Sequence, residues 1–145
     1  MKKLLTLGLL MAATAAFAQA TPTGLWKTID DADGKPRSIL RIEENAGRYE
    51  AVIERLFPRA GEPADPVCDK CSDERKDKPL QGLVLIRNAK QSADDKELFE
   101  GGDITDPENG KVYRLRLKPL EGGKKLEVRG YIGPFYRNQT WVRVE

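Results

Sequence analysis

Two cysteines three residues apart, Cys68 and Cys71, form the one motif in this 145-residue chain that is typical of a reactive or structural site. A Cys-x-x-Cys pair can be a local disulfide, the centre of a thiol–disulfide oxidoreductase, or half of a zinc site. The chain has no further cysteine and no histidine. Ser-His-Asp and Cys-His nucleophile systems and His-ligated metal sites are therefore excluded.

The surroundings of the cysteine pair favour a disulfide. A reactive cysteine needs a helix N-terminus or basic neighbours to lower its pKa, whereas Pro66 precedes Cys68 closely and Asp69 follows it. A zinc site would need two more ligands, which carboxylates or a second chain would have to supply. We therefore predict a Cys68–Cys71 disulfide that stabilises its loop by about 2 kcal/mol. We predict no catalytic residue, metal site or cofactor, and thiol–disulfide chemistry at this pair is the enzymatic alternative.

The first 20 residues have the pattern of a cleaved secretory signal peptide. Residues 1–3 are a basic start, residues 4–16 are almost wholly apolar, and Ala18-Gln19-Ala20 is a small-x-small cleavage site. Cleavage after Ala20 removes two of the 25 basic residues and none of the 23 acidic ones, so the mature net charge is zero. This balance argues against a nucleic-acid or anionic-membrane binder.

The remaining residues, 21–145, are expected to form one exported domain. Thr21 rather than a cysteine follows the cleavage site, so no lipid anchor is predicted. No later apolar run approaches the roughly 20 residues that a membrane-spanning helix needs. The sequence therefore predicts a soluble periplasmic protein without a membrane span.

The mature chain consists of short extended runs separated by turn residues. Residues 111–118 alternate cleanly between apolar and basic side chains, which is the period of a half-buried strand. A long polar loop is expected at 58–81, and a loop or short helical turn at 88–97. The predicted strands are 24–29, 38–43, 48–57, 82–87, 98–104, 111–118, 125–132 and 139–144.

Eight strands in hairpin order predict an all-β fold, a single antiparallel up-and-down barrel, with a two-sheet sandwich as the competing arrangement. Such a barrel can hold one small ligand, and Tyr49, Tyr113, Arg55 or Arg87 could anchor its polar part. The alternating apolar positions supply the candidate lining residues. They are Leu40, Ile42, Ala51, Ile53, Leu83, Leu85, Tyr113, Leu115, Leu117, Leu126 and Val128.

Three residues are candidates for closing the barrel. Trp26 in the first strand and Trp141 in the last would be neighbours if those two strands pair. Arg143 could then stack on a tryptophan across the seam, a cation–π contact of about 1 kcal/mol. The sequence leaves open whether Trp141 and Arg143 face inward.

Several motifs together are similar to those of a known family. Gly24-Leu25-Trp26, with an arginine available from a late strand, resembles the Gly-x-Trp signature of lipocalins and their calycin relatives. The whole mature chain resembles the bacterial exported family catalogued as domain of unknown function 2147. The motifs that carry this resemblance are Thr23-Gly24-Leu25-Trp26-Lys27-Thr28, Cys68-x-x-Cys71, Leu80-x-Gly82, Gly101-Gly102-x-Ile104-x-Asp106-Pro107, Asn109-Gly110-Lys111-x-Tyr113, Leu126-x-Val128-Arg129-Gly130-Tyr131-Ile132-Gly133 and Gln139-x-Trp141-x-Arg143. The resemblance implies a small lipocalin-like barrel in the bacterial envelope.

Two non-enzymatic functions are compatible with these observations. In the first, the barrel binds a small hydrophobic or amphipathic ligand in its interior. In the second, the interior is packed and the protein is an envelope interaction or assembly factor. The 58–81 loop, stiffened by prolines and a disulfide, would then contact a protein partner that the sequence does not identify.

Overall fold

The computed structural model describes residues 19–144 and shows a closed eight-stranded barrel. Residues 1–18 and 145, and with them most of the predicted signal peptide, lie outside the described part. The strands are β1 (Gly24–Ile29), β2 (Pro36–Asn45), β3 (Arg48–Leu56), β4 (Val84–Gln91), β5 (Phe99–Thr105), β6 (Val112–Leu120), β7 (Lys125–Ile132) and β8 (Phe135–Arg143). Each strand is antiparallel to the next and β8 returns to β1, which confirms the predicted up-and-down topology.

Two strand boundaries differ by four residues from the sequence prediction, and the others by at most two. Strand β8 begins at Phe135 rather than at 139, because Gly133 takes a positive φ of 54° and closes a two-residue turn with Pro134. Strand β4 continues to Gln91 through the segment expected to be loop or helix. There Asn88 has a φ of 57° and interrupts the regular alternation.

The two ends of the barrel differ. At one end, here called the closed end, the strands are joined by short connections at 46–47, 92–98 and 121–124. The ring of Tyr49 meets that of Phe99 edge to face, with 5.0 Å between centroids. Buried side chains fill this half of the interior. They are Trp26, Ile42, Tyr49, Ala51, Ala89, Phe99, Leu117 and Leu126.

A tryptophan and an arginine close the barrel between its first and last strands. The paired register of β1 with β8 consists of Trp26 with Arg143 and Lys27 with Val142. The Arg143 guanidinium lies 4.2 Å from the centre of the Trp26 ring. It donates to the backbone oxygens of Thr23 (2.7 Å), Thr21 (3.0 Å) and Gly123. This contact fixes the seam at the closed end.

The long loop, residues 57–83, lies at the opposite end, called the open end. Cys68 and Cys71 are joined by a disulfide, as predicted, and both are buried. The Cys68 amide donates to the Lys78 oxygen at 2.8 Å, which folds the loop back on itself. Gly110, in the β5–β6 turn, lies so close to the Lys70 carbonyl that a Cβ there would overlap it.

Buried Arg75 holds the long loop against strand β4. Its guanidinium donates to the Asp73 carboxylate and, at 3.1 Å, to the Val84 backbone oxygen. Glu74 forms an ion pair with Arg87 on the outer face of β4. The loop is therefore a folded element attached to the barrel wall. Within residues 19–144 no helix is long and apolar enough to cross a membrane.

Candidate functional site

A cavity of about 1000 Å³ occupies the open half of the barrel. Its floor is the side chain of Trp141, which is 2% exposed and separates the cavity from the packed closed half. The apolar side chains around that floor come from four strands. They are Leu40 of β2, Ile53 of β3, Leu85 of β4 and Val128 of β7.

The register of the strands explains why this half of the interior is open. Trp141 is opposite Leu126, and Gln139 is opposite Val128, so these alternate residues of β8 face inward. Gly130, opposite Leu115, contributes no side chain. A Cβ at Gly130 would lie only 3.2 Å from the Tyr113 Cβ, so the glycine preserves space beside that ring.

Uncharged polar groups line the cavity above its apolar floor. The hydroxyls of Thr28 and Ser38 lie 2.7 Å apart and share a hydrogen bond. The Gln139 side-chain oxygen accepts from Trp141 Nε1 at 3.3 Å. The Tyr113 hydroxyl accepts from Asn109 at 3.0 Å. The long Gln139–Trp141 hydrogen bond and the exposed Tyr113–Asn109 one can be exchanged for hydrogen bonds to a ligand at small cost.

Charged side chains surround the cavity at the open end, and we call them the rim. They come from the β1–β2 loop, the start of β2, the long loop, the β5–β6 turn and β8. Six are carboxylates and four are cations. They are Asp30, Asp31, Arg37, Arg59, Glu62, Asp69, Lys70, Asp106, Glu108 and Arg137.

Ion pairs connect the loops across this rim. Arg37 donates to both carboxylate oxygens of Glu62, at 3.0 and 3.3 Å, and lies 3.7 Å from Glu108. Hydrogen bonds from the Arg37 side chain and from the backbone of Arg59 lower the pKa of Glu62, which therefore stays ionised. Arg59 also pairs with Asp30. The long loop is thus connected to β2, the β1–β2 loop and the β5–β6 turn.

The rim also contains exposed apolar side chains. Phe135 is 77% exposed, and Ile132 and Val67 are 45% and 43% exposed, although all three line the cavity. Arg137, beside them on β8, lies 2.6 Å from Asp31. The open end therefore presents apolar and ionic surface side by side.

The structure divides the predicted lining residues into two groups. Five border the cavity, namely Leu40, Ile53, Leu85, Tyr113 and Val128. The other six are buried or packed in the core and do not border it. They are Ile42, Ala51, Leu83, Leu115, Leu117 and Leu126.

Of the four candidate polar anchors, one borders the cavity and three do not. Tyr113 lines the cavity. Tyr49 packs against Phe99 in the closed half, Arg55 lies over the Phe57 ring, and Arg87 pairs with Glu74 outside the barrel.

Sequence reasoning missed the rim because its carboxylates also have local roles. Asp30 accepts a hydrogen bond from the Ala32 amide at 2.7 Å, and Asp106 accepts one from the Glu108 amide at 2.9 Å. Both are therefore turn residues as well as rim residues. The available signal was the presence of charged residues in three of the four connections that a barrel of this topology brings to one end.

The described residues show no arrangement for metal binding. No group of three or more His, Cys, Asp or Glu within 19–144 is placed to hold a metal ion. Both cysteines are in the disulfide.

Comparisons with known proteins agree with this fold. A solved structure titled "Protein HP1028 from the human pathogen Helicobacter pylori belongs to the lipocalin family" is similar, with a TM-score of 0.71 and 18% sequence identity. The similarity covers 87% of this chain and 84% of that one. No curated protein matches the chain. A family model described as "Uncharacterized protein conserved in bacteria (DUF2147)" matches residues 24–143. The chain, a lipocalin-like barrel, therefore belongs to the DUF2147 family.

Proposed function

We propose that this protein is a periplasmic, non-enzymatic binding protein that holds a small, mostly apolar ligand in its barrel. The observation that carries the proposal is the cavity of about 1000 Å³ with an apolar floor at Trp141. Small-molecule sites in proteins are concave, mostly apolar and provided with a few polar groups. The belt of Thr28, Ser38, Tyr113 and Gln139 supplies those polar groups.

The division of the barrel supports this proposal over a surface function with a packed interior. The closed half is packed by large side chains such as Trp26 and Phe99, which are 0% and 1% exposed. Stability can therefore be supplied by that half, while the other half remains open. The periplasmic location rests on the predicted signal peptide, 1–20, and on the bacterial family.

Uptake of an apolar fluorescent dye tests the proposal. N-phenyl-1-naphthylamine becomes brightly fluorescent in apolar surroundings, and we expect saturable binding to the purified protein. Leu56→Trp would place a large ring in the cavity, because Leu56 lines it. We expect this variant to lose at least about tenfold in affinity for the dye.

The matched control is Val112→Trp, which adds the same ring at a position that is 46% exposed and does not line the cavity. It should bind the dye like the parent protein. Equal binding by Leu56→Trp and Val112→Trp would show that the dye does not enter the cavity. Native mass spectrometry of protein purified from its own host should also detect an adduct that is lost on denaturation.

A further inference from the structure

We infer that the cavity accepts neutral and cationic amphiphiles and discriminates against anionic ones, an inference that rests on the proposed binding function. The reason is that the three rim arginines are already paired with carboxylates while some rim carboxylates form no ion pair.

The interior offers no cation to an anionic head group. Below the rim, the described residues that line the cavity are apolar or uncharged, and they range from Trp141 at the floor to Ser38 and Gln139 in the belt. An ionised carboxylate taken into such surroundings without a partner is strongly disfavoured. A charged head group must therefore remain at the rim while the apolar chain occupies the interior.

At the rim, an anionic head group would have to compete for each arginine. Arg37 is engaged by Glu62 through two hydrogen bonds and by Asp30 at 3.8 Å. Arg59 is paired with Asp30 and lies 4.0 Å from Glu62.

The two remaining cations are engaged as well. Arg137 is paired with Asp31 at 2.6 Å. Lys70 donates to the Glu108 backbone oxygen at 2.9 Å, which holds its ammonium at the β5–β6 turn. An incoming carboxylate would therefore have to compete with Asp31 for Arg137, and at Lys70 it would approach an ammonium that one hydrogen bond already holds at the turn.

A cationic or neutral head group meets the opposite situation. Six carboxylates and four cations line the cavity, which leaves an excess of two negative charges. Asp69 and Asp106 form no ion pair with any residue in the described part of the chain, and Asp106 attracts Arg137 only at longer range than an ion pair. They lie in the long loop and at the end of β5, on neighbouring parts of the rim. A positive head group placed there gains attraction without breaking an existing pair.

Three amphiphiles with the same twelve-carbon chain and different head groups test this selectivity. Dodecylamine, dodecanol and dodecanoate are used at neutral pH and low salt to displace N-phenyl-1-naphthylamine from the purified protein. We expect dodecylamine and dodecanol to compete at least about tenfold more strongly than dodecanoate. The difference between dodecylamine and dodecanoate should shrink in high salt because the rim is exposed. Equal or stronger competition by dodecanoate would overturn the inference.

Charge variants test whether the rim carboxylates cause this selectivity. The double variant Asp69→Lys with Asp106→Asn removes both unpaired carboxylates and keeps an oxygen acceptor for the Glu108 amide. It should improve dodecanoate competition several-fold and leave dodecanol unchanged. Glu50→Lys, on the exposed outer face of β3, is the control and should behave like the parent. Dodecanoate competition no stronger in the double variant than in the parent protein would overturn the assignment to Asp69 and Asp106.

The same experiment separates this inference from the proposed function. Dye binding with dodecanoate as the strongest competitor would leave the binding function intact and refute the selectivity. Absence of dye binding by the parent protein would refute the binding function, and the selectivity with it.

Discussion

Arg143 is the residue through which the barrel is closed. Its guanidinium packs on Trp26 and satisfies backbone oxygens of three residues that precede β1 or β7. Hydrogen bonds from a charged donor contribute more than neutral ones, and their removal leaves part-buried carbonyl groups without a donor.

We expect Arg143→Ala to lower the free energy of unfolding by about 2–4 kcal/mol, measured by urea denaturation. Arg143→Lys should recover only part of the loss, because a lysine cannot reproduce the planar, multiply donating guanidinium. Arg41→Ala is the control, since Arg41 is 44% exposed and pairs with Glu54 on the surface. It should cost less than about 1 kcal/mol. A loss in Arg143→Ala no larger than in Arg41→Ala would contradict the closing role.

Because Asp73 is paired with Arg75, we predict that the free energy of unfolding decreases at low pH. Hydrogen bonds from Arg75 lower the pKa of Asp73 from 3.8 to about 2. Because the folded-state pKa is depressed, the stabilisation is fully present above pH 3.8. It decreases below that value and is lost as the pH falls through about 2.

Urea denaturation at pH 5 and at pH 2 should therefore show a smaller difference in Asp73→Asn than in the parent protein. Asp65→Asn, an exposed position in the same loop, is the control variant. An unchanged difference in Asp73→Asn would show that the pair does not contribute to acid sensitivity.

The sequence predicted some residue roles because few alternatives existed for them. With two cysteines and no histidine, the Cys68–Cys71 disulfide followed from the composition and the local charge. The inward orientation of Trp141 did not follow, because alternation gives two possible faces until a register is known. Pairing of Trp141 with Leu126 fixes that choice.

At the scale of elements, the attachment of the long loop depends on a close approach of two backbones. Gly110 has a φ of +74°, and its missing side chain makes room for the Lys70 carbonyl. Gly61, in the long loop, has a similar φ of +84° but no neighbouring atom within 4 Å of an added Cβ. A side chain added at Gly61 therefore causes backbone strain alone, whereas one added at Gly110 causes backbone strain and a steric overlap with Lys70.

We expect Gly61→Ala to cost about 1–2 kcal/mol through backbone conformation alone. Gly110→Ala should cost about 2 kcal/mol more, because the β5–β6 turn must move away from the cysteine loop. Hydrogen exchange should then accelerate at the amides around Cys68, which are protected by the loop hydrogen bonds. Equal costs for the two variants would indicate that the turn and the loop are not coupled.

Strand positions could be predicted from alternation, but their ends could not. The run 111–118 is amphipathic and coincides closely with β6. The first four residues of β8 are exposed on both faces, so they carry no periodic pattern. They form part of a strand because they pair with the end of β7 across the turn at Gly133.

At the scale of the molecule, the packed and open halves should respond differently to the same substitution. Leu117 is fully buried in the closed half, whereas Leu85 is buried but borders the cavity. We expect Leu117→Ala to cost about 3–5 kcal/mol and Leu85→Ala about 1–2 kcal/mol. A residue beside a cavity has fewer contacts to lose. Urea denaturation measures both, and equal costs would indicate a uniformly packed interior.

The barrel as a whole was predictable, while the division of its interior was not. Eight hairpin-compatible runs permit few closed arrangements. Period-two alternation marks Leu115, Leu117 and Tyr113 as equivalent, yet only Tyr113 borders the cavity. The difference depends on what faces each residue across the barrel, such as Gly130 beside Tyr113, and no local pattern encodes it.

The short register between β1 and β8 has a consequence for how the barrel assembles. Two residue pairs join these strands, whereas eight join β7 to β8 and seven join β6 to β7. Contacts between residues more than 110 positions apart, such as Trp26 and Arg143, incur the largest loop-closure entropy and are expected to form last. Until they form, the chain is an open curved sheet with two unprotected edges, a form prone to self-association. Weakening the Arg143 contact should therefore raise the yield of aggregate during refolding as well as lowering equilibrium stability.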